Sequence, residues 1–112
     1  MQSGQRPVAL SVFFHSLAAE DLNAIDDYIA RDSPERAHAF VGRLRARCES
    51  LADFPYKGRA RSDIAEGLRT LSFHRRVVIA YRVDDNQVTI WRIIMAGQNL
   101  EEVLEDLETN SR

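Results

Sequence analysis

Apolar residues in the first half of the chain recur at the spacing of an α-helix. One set follows the pattern i, i+4, i+7, i+11, which places its side chains on a single helical face. Its members are Ala18, Leu22, Ile25 and Ile29. Ser16 stands where an N-cap residue is expected, and the periodic pattern stops near Arg31. We therefore predict a first amphipathic helix that Ser16 caps and that ends near Arg31.

A second helical stripe follows a clear start signal. Ser33 suits the N-cap position, and Pro34 suits the first helical position, where the missing N–H of proline would be unpaired anyway. The apolar members of the stripe are Ala37, Phe40, Val41, Leu44, Cys48 and Leu51. Pro55 should stop the helix around Phe54. Because so few residues separate the two helices, we predict that they form an antiparallel hairpin.

The remaining apolar runs are short and rich in β-branched and aromatic residues, which is typical of strands. They cover residues 8–14, 68–73, 77–83 and 88–97. The last three are separated only by the gaps HRR and DDNQ, which suit hairpin turns. The order β-α-α-β-β-β therefore predicts an α+β fold. In it, a small antiparallel meander and the N-terminal strand form a sheet, and the helical hairpin packs on one face.

The domain organisation follows from the length and from the two ends of the chain. A chain of 112 residues can form one domain with its own core. We divide it into a disordered lead-in at 1–7, a single domain at 8–100 and an acidic C-terminal helix or tail at 101–112. Apolar residues near the C-terminus keep helical spacing; they are Leu100, Val103, Leu104 and Leu107. This stripe either closes over the sheet or leaves an exposed apolar edge for a partner.

The composition excludes several classes of protein. Apolar residues make up 45% and charged residues 29% of the chain, which is ordinary for a soluble domain. No signal peptide is recognisable and no apolar run is long enough to span a bilayer, so we expect a cytoplasmic protein without a membrane contact. Cys48 lies on the apolar stripe and should be a core residue. The scattered His15, His38 and His74 favour surface or capping positions, and we predict no metal site and no cofactor.

The charged residues are unevenly distributed along the chain. Residues 57–82 contain seven basic side chains against Asp63 and Glu66. The basic residues are Lys57, Arg59, Arg61, Arg69, Arg75, Arg76 and Arg82. Residues 99–112 contain five acidic side chains against Arg112. This asymmetry indicates a basic surface for an acidic partner, and the dominance of arginine favours recognition of carboxylates or phosphates by its planar guanidinium group.

The loop FPYKGRARSD, residues 54–63, concentrates three of these basic residues, Lys57, Arg59 and Arg61. Three interpretations stay open: a grip on phosphate, a docking site for an acidic partner, and a solvated turn. The loop lacks the glycine pattern of a phosphate-binding motif. The basic tip of the predicted hairpin at 74–76 has two interpretations, an exposed contact surface and a plain polar turn.

Three arginines lie inside predicted strands, where a charged side chain should avoid the core. They are Arg69, Arg82 and Arg92. If they share the sheet face opposite the helices, they form a basic patch; otherwise their stems cover apolar surface at the sheet edge. Trp91 is either a partner hot spot or a packing residue of the core or its rim.

Several segments, taken in order, resemble the ParE/RelE superfamily of bacterial toxins, and the ParE branch most closely. They are DLNAIDDYIARDSPERAHAF for the helical hairpin, LADFPYKGRARSD for the link out of it and GLRTLSFHRRVVIAYRVDDNQVTIWRIIMAG for the meander. The resemblance covers roughly residues 9–100. It implies a toxin that a small cognate antitoxin neutralises. We expect this antitoxin to be ParD-like and to lay an acidic C-terminal segment on the toxin.

The superfamily contains two activities: RelE-like members cut messenger RNA on the ribosome, and ParE-like members act on DNA gyrase. By the resemblance, the basic positions of the RelE-like site fall on Arg69, Leu71, Val78 and Asn99. Only Arg69 is basic, and the C-terminal segment has no tyrosine. The resemblance therefore implies a gyrase inhibitor that is not an enzyme, has no catalytic residue and reads no nucleic-acid sequence directly. The alternatives are a RelE-like ribosome-dependent ribonuclease and a non-toxic homologue that only binds an antitoxin.

We select ten candidate residues for binding the antitoxin or the target. They are Arg59, Arg61, Arg69, Arg75, Arg76, Arg82, Arg92, Trp91, Leu100 and Leu104.

Overall fold

The computed structural model describes residues 10–104 and has the predicted order of helices and strands, with one addition. The helices are α1, Ser16–Ala30, and α2, Pro34–Glu49. The strands are β1, Ser11–Phe14; β2, Arg59–Ala60; β3, Arg69–Phe73; β4, Val77–Val83; and β5, Gln87–Met95. Residues 100–104 are helical and carry three of the four apolar residues of the C-terminal stripe, whereas Leu107 lies outside the described residues. The added element is β2, which falls in the predicted loop.

The sheet has the strand order β1-β5-β4-β3-β2. Strands β3, β4 and β5 form the predicted antiparallel meander. Strand β1 lies parallel to β5, because the two helices carry the chain across one face before the meander begins. The short β2 pairs with β3 at the other edge. The α+β prediction is therefore confirmed, as a five-stranded mixed sheet.

The start of α1 differs from the prediction. His15, with an extended backbone, is the N-cap residue, and its Nδ1 accepts a hydrogen bond from the backbone N–H of Leu17 at 3.1 Å. Ser16 is the first helical residue, so its hydroxyl does not occupy the cap position. The prediction of Ser16 as the cap is wrong by one residue, and the capping role expected of a histidine is confirmed at His15.

The start of α2 is as predicted and its end is not. Ser33 caps the helix by accepting a hydrogen bond from Arg36 N–H at 3.2 Å, and Pro34 is the first helical residue. The helix ends at Glu49 and continues as a 3₁₀ turn, Ser50–Ala52, before it reaches Pro55. The Ser50 hydroxyl donates to the carbonyl of Arg47 at 2.6 Å, a local bond that competes with regular helix. The chain therefore tightens ahead of the proline.

The main core lies between the helical hairpin and one face of the sheet. Its largest buried side chains include Leu44, Leu51, Ile79, Tyr81 and Ile90. Cys48 is fully buried in the same cluster, as predicted. Burial raises the pKa of the Cys48 thiol to about 12, which keeps it protonated and unreactive.

A smaller core covers the opposite face of the sheet, which we call the outer face. Its buried members are Ala65, Leu68, Ala80, Ile94 and Leu104, with Ile64, Trp91, Leu100 and Val103 packed against them. The described part of the C-terminal stripe, Leu100, Val103 and Leu104, therefore closes over the sheet, which is one of the two alternatives left open above. Leu104 is buried and cannot serve as an exposed contact in this arrangement, whereas Leu100 is partly exposed.

Two predictions about the ends of the chain stay predictions. The lead-in at 1–7 and most of the acidic segment at 101–112 lie outside the described residues, so the division around 8–100 is not tested. Within residues 10–104, no helix is long and apolar enough to cross a membrane.

Candidate functional site

A stack of three side chains lies at the outer face. The Arg82 guanidinium carbon is 5.9 Å from the centre of the Trp91 ring, and Trp91 stacks on His15 at 4.4 Å. Arg82 Nε and Trp91 Nε1 are buried and have no hydrogen-bond acceptor among the described residues. Trp91 thus packs against the smaller core, as one of its two interpretations predicted, and its role as a partner hot spot stays a prediction.

Arg69 lies on the other face of the sheet, at the edge of the main core. It pairs in register with the core residue Tyr81, and directly opposed residues of antiparallel strands share a face. Its Nη1 donates to the carbonyl of Gly58 at 2.7 Å and more weakly to that of Tyr56 at 3.4 Å. The guanidinium carbon also lies 4.9 Å from the centre of the Tyr56 ring. Arg69 therefore holds a loop in place.

Arg92 is fixed against α1. Its Nε and Nη2 donate to the two carboxylate oxygens of Asp21 at 2.8 and 3.0 Å, and the backbone N–H of Ile93 donates to the same carboxylate at 2.9 Å. Both charged side chains are about four-fifths shielded from solvent, with exposures of 21% and 17%. This bidentate pair joins the last strand to the first helix.

The hypothesis of one basic patch from Arg69, Arg82 and Arg92 is therefore wrong. Arg69 pairs with the core residue Tyr81, whereas Arg82 follows Tyr81 in β4 and therefore lies on the opposite face. A β-bulge at Trp91 brings Arg92 into register with Ala80, a residue of the outer face, but the Arg92 guanidinium is bonded to Asp21. Strand alternation thus separates Arg69 from Arg82, and the ion pair with Asp21 withdraws Arg92 from a shared patch.

The loop at residues 54–58, which we call the aromatic loop, presents two exposed aromatic side chains. Phe54 is 66% and Tyr56 is 65% exposed. The buried Tyr81 hydroxyl anchors the loop to the sheet. It accepts a hydrogen bond from the Gly58 N–H and donates one to the Pro55 carbonyl, both at 2.8 Å. Burial raises the pKa of this hydroxyl. With Arg69 on the Gly58 carbonyl, two strand residues fix the loop that exposes Phe54 and Tyr56.

The basic residues after this loop are more exposed. Arg59 is a solvent-facing residue of β2. Arg61 donates twice to Asp63, at 3.0 and 2.9 Å. The Arg61 hydrogen bond lowers the pKa of the Asp63 carboxyl, and the same bond raises the pKa of Arg61. Asp63 is 61% exposed and the Arg61 side chain 24%, so water still screens the pair; it adds little stability and leaves Arg61 partly neutralised.

The tip of the β3–β4 hairpin exposes Arg75 and Arg76. A turn closed by the Arg76 N–H and the Phe73 carbonyl at 3.0 Å places His74 and Arg75 at positive φ, 52° and 58°. These are the central positions of a type I′ pattern, which normally takes glycine or asparagine. The tip is thus an exposed basic turn on a strained backbone.

Phe54 and Tyr56 were missed as candidates, although two aromatic residues flanking a proline in a polar loop are a recognisable signal. Tyr81 and Gly58, which position the loop, lie 23 positions apart in the chain and give no local signal. Among residues 10–104, no three His, Cys, Asp or Glu side chains lie together in a way that could hold a metal ion.

Comparison with known proteins gives the class of protein. The family model described as the ParE toxin of the type II toxin–antitoxin system, parDE, matches residues 12–100, which is most of the chain. The chain therefore belongs to the ParE toxin family. It is the toxin of a type II toxin–antitoxin system, and an antitoxin is its implied partner.

Two particular relatives support this assignment. The Toxin RelE2 of Caulobacter vibrioides is 41% identical over 81 residues, which are 72% of this chain and 89% of the relative. A solved structure described as the chromosomal ParDE TA system from P. aeruginosa matches with a TM-score of 0.68 and 28% identity. That match covers 80% of this chain and 98% of the chain in the solved structure. The superfamily prediction is confirmed.

Proposed function

We propose that the free toxin inhibits DNA gyrase by binding to it and that it is not a ribonuclease. The observation that carries this proposal is the state of the four positions aligned with the RelE-like nuclease site. Arg69 donates to the carbonyls of the aromatic loop. Asn99 Oδ1 accepts from the N–H of Glu102 at 3.1 Å and so begins the C-terminal helical segment. Both polar side chains therefore make local structural contacts, and neither an arginine nor an asparagine is a ready general acid or base.

The other two aligned positions are apolar and lie on opposite faces of the sheet. Leu71 packs against the main core, whereas Val78 pairs with Ser72 and Ile94 on the outer face. Cleavage of RNA needs an acid, a base and a cation that converge on one phosphate. Four positions that neither converge nor carry those groups favour a function by binding.

The proposed gyrase contact is centred on the aromatic loop. Because hydrogen bonds already fix the backbone of this loop, binding has to order only the aromatic side chains, which makes them suitable anchors of a protein interface. Lys57 and Arg59 add positive charge beside Phe54 and Tyr56. The toxin would then act by occupying a protein surface, in the cytoplasm where gyrase works, until the ParD-like antitoxin removes it.

The test is a supercoiling assay with purified gyrase and increasing amounts of toxin. We expect loss of supercoiling with the wild-type protein and a loss of inhibition of about tenfold or more for Phe54→Ser/Tyr56→Ser. The matched control is Tyr28→Ser, which removes an equally exposed aromatic residue elsewhere. Inhibition that the loop variant leaves unchanged would refute the contact, and absence of any inhibition would refute the gyrase proposal.

A RelE-like ribonuclease is the second candidate, because a relative with 41% identity carries the name RelE2. Cuts at fixed codon positions in translated messages, produced by the purified toxin in a translation extract, would establish this alternative. No growth effect on induction and no activity in either assay would favour the non-toxic homologue. The absence of cuts together with gyrase inhibition is the outcome we expect.

A further inference from the structure

A groove lies at the end of the molecule where the α1–α2 hairpin approaches the tip of the β3–β4 hairpin. Its volume is about 890 Å³. Tyr28, Ile29 and Phe40 supply apolar surface. The basic residues that line the groove are Arg31, Arg36, Arg43, His74 and Arg76. We call this the basic groove. It is formed by both helices and by the hairpin tip, and it is separate from the aromatic loop.

The charged side chains that line the basic groove without an ion-pair partner among the described residues are all basic. Arg36 and Asp32 also line it, but they form an ion pair at 3.2 Å and so offset each other. Arg31, Arg43 and Arg76 are exposed and have no carboxylate partner among residues 10–104. Three free guanidinium groups around one concavity attract an anionic ligand and can each bind a carboxylate through two hydrogen bonds.

The apolar residues of the groove narrow the choice of ligand. Tyr28 is 61% exposed, although it is a large aromatic residue. Phe40 is partly buried and is fixed by an edge contact with Phe73 at 5.4 Å. A phosphodiester backbone would use the arginines and leave this apolar surface unfilled. A peptide that carries carboxylates on both sides of an aliphatic or aromatic side chain would use both.

We propose that an acidic segment of the cognate antitoxin docks in the basic groove, with an apolar side chain against Tyr28 and Phe40 and carboxylates on Arg31, Arg43 and Arg76. The antitoxin is chosen because membership of the ParE family implies that partner, and because the groove offers the complement of an acidic peptide. The proposal rests on the toxin–antitoxin assignment and does not depend on gyrase as the target.

The test measures the affinity of the purified toxin for the antitoxin encoded beside it. We expect Arg43→Glu/Arg76→Glu to weaken binding by about tenfold or more, because each reversal replaces an ion pair with repulsion. Tyr28→Ala should weaken binding at high salt as well as at low salt, because its contribution is apolar. Far-ultraviolet circular dichroism and the midpoint of thermal unfolding check that each variant is folded.

Two matched controls lie outside the groove. Arg75→Glu changes the neighbour of Arg76 at the same hairpin tip, and Arg59→Glu changes an exposed arginine of β2. Both should leave the affinity within about twofold of the wild type if the groove is the site. Equal losses in the controls and in Arg43→Glu/Arg76→Glu would mean nonspecific charge attraction and would overturn the proposal.

The remaining outcomes are also decisive. Unchanged antitoxin affinity in Arg43→Glu/Arg76→Glu would refute the groove while leaving the toxin assignment and the gyrase assay untouched. Binding of a single-stranded DNA oligonucleotide that these two substitutions abolish, with antitoxin affinity unchanged, would assign the groove to nucleic acid instead. If the wild-type protein does not inhibit gyrase, the proposed function is refuted. The antitoxin affinities of the groove variants would still decide whether the groove is the antitoxin site.

Discussion

The two ends of the β3–β4 pair both present basic residues, but they are built in opposite ways. At one end, Arg69 and Tyr81 reach from the strands and fix the aromatic loop through three hydrogen bonds of 2.7–2.8 Å. At the other end, His74 and Arg75 turn the chain by local backbone strain, and Arg76 extends into the groove without an acidic partner. Arg69, inside a strand, is therefore structural, whereas Arg76, at the exposed hairpin tip, is available for binding.

The partner of an arginine therefore decides its role more than its position along a strand does. A guanidinium group already bonded to buried carbonyls must give up those bonds before it can bind a ligand. An exposed one without a partner loses only its hydration and rotamer freedom. We call the end of the β3–β4 pair at Gly58 the clamped end, and the end at His74 and Arg75 the strained end.

The largest effect should come from Gly58→Ala. A methyl group on Gly58 would lie 2.5 Å from the Tyr81 hydroxyl and 2.8 Å from the Thr70 carbonyl oxygen, and the latter belongs to the sheet backbone. We expect the free energy of unfolding to fall by about 2–4 kcal/mol. Urea titration measures it.

Gly42→Ala is the matched control, because it lies within α2 and nothing occupies the space around it within 4 Å. This change should raise the free energy of unfolding by about 0.5–1 kcal/mol, since alanine favours a helix over glycine. If the two substitutions had similar effects, the loop would not be clamped as described.

A smaller loss should follow from Tyr81→Phe. The change removes only the hydroxyl, so the buried Gly58 N–H and the Pro55 carbonyl both lose their partner. We expect a cost of about 1–3 kcal/mol and faster hydrogen exchange at the Gly58 amide. Tyr28→Phe, at an exposed tyrosine, should change stability by less than about 0.5 kcal/mol. An unchanged exchange rate at Gly58 would contradict the clamp.

The strained end should respond in the opposite direction. His74→Asn/Arg75→Gly places at the two positive-φ positions the residues that such turns prefer. We expect a gain of about 0.5–1 kcal/mol in the free energy of unfolding, seen as a higher midpoint in urea. His74 also lines the basic groove, so this variant is judged by its stability and not by its antitoxin affinity. A loss of stability would mean that His74 contributes more through its edge contact with Phe73 than its backbone costs.

The sequence predicted those parts of the molecule that depend on local periodicity. Helical spacing and short hairpin gaps were enough for α1, α2 and the meander. The face of Arg69 and the surroundings of Arg92 could not be read in this way. The first depends on the pairing of Arg69 with Tyr81, and the second on the bulge at Trp91 and the ion pair with Asp21, all of which are contacts between separate segments of the chain. The basic groove could not be predicted from the sequence either, because three separate elements meet there and only folding brings Arg31, Arg43 and Arg76 together.

The smallest effect concerns alkaline pH and again tests the clamp. Burial raises the pKa of Tyr81 above its ordinary value of 10.0 in the folded protein. Above pH 10 the unfolded chain therefore releases this proton while the folded chain retains it, so the stabilisation present below that pH declines as the pH rises towards the folded pKa. Tyr81→Phe lacks this proton, so the difference between the two proteins reports on the Tyr81 hydroxyl. We therefore expect the difference in unfolding free energy between wild type and Tyr81→Phe to shrink above pH 10 in urea titrations. A difference that stays constant or grows would mean that the Tyr81 hydroxyl is not buried in its bonds to Gly58 and Pro55.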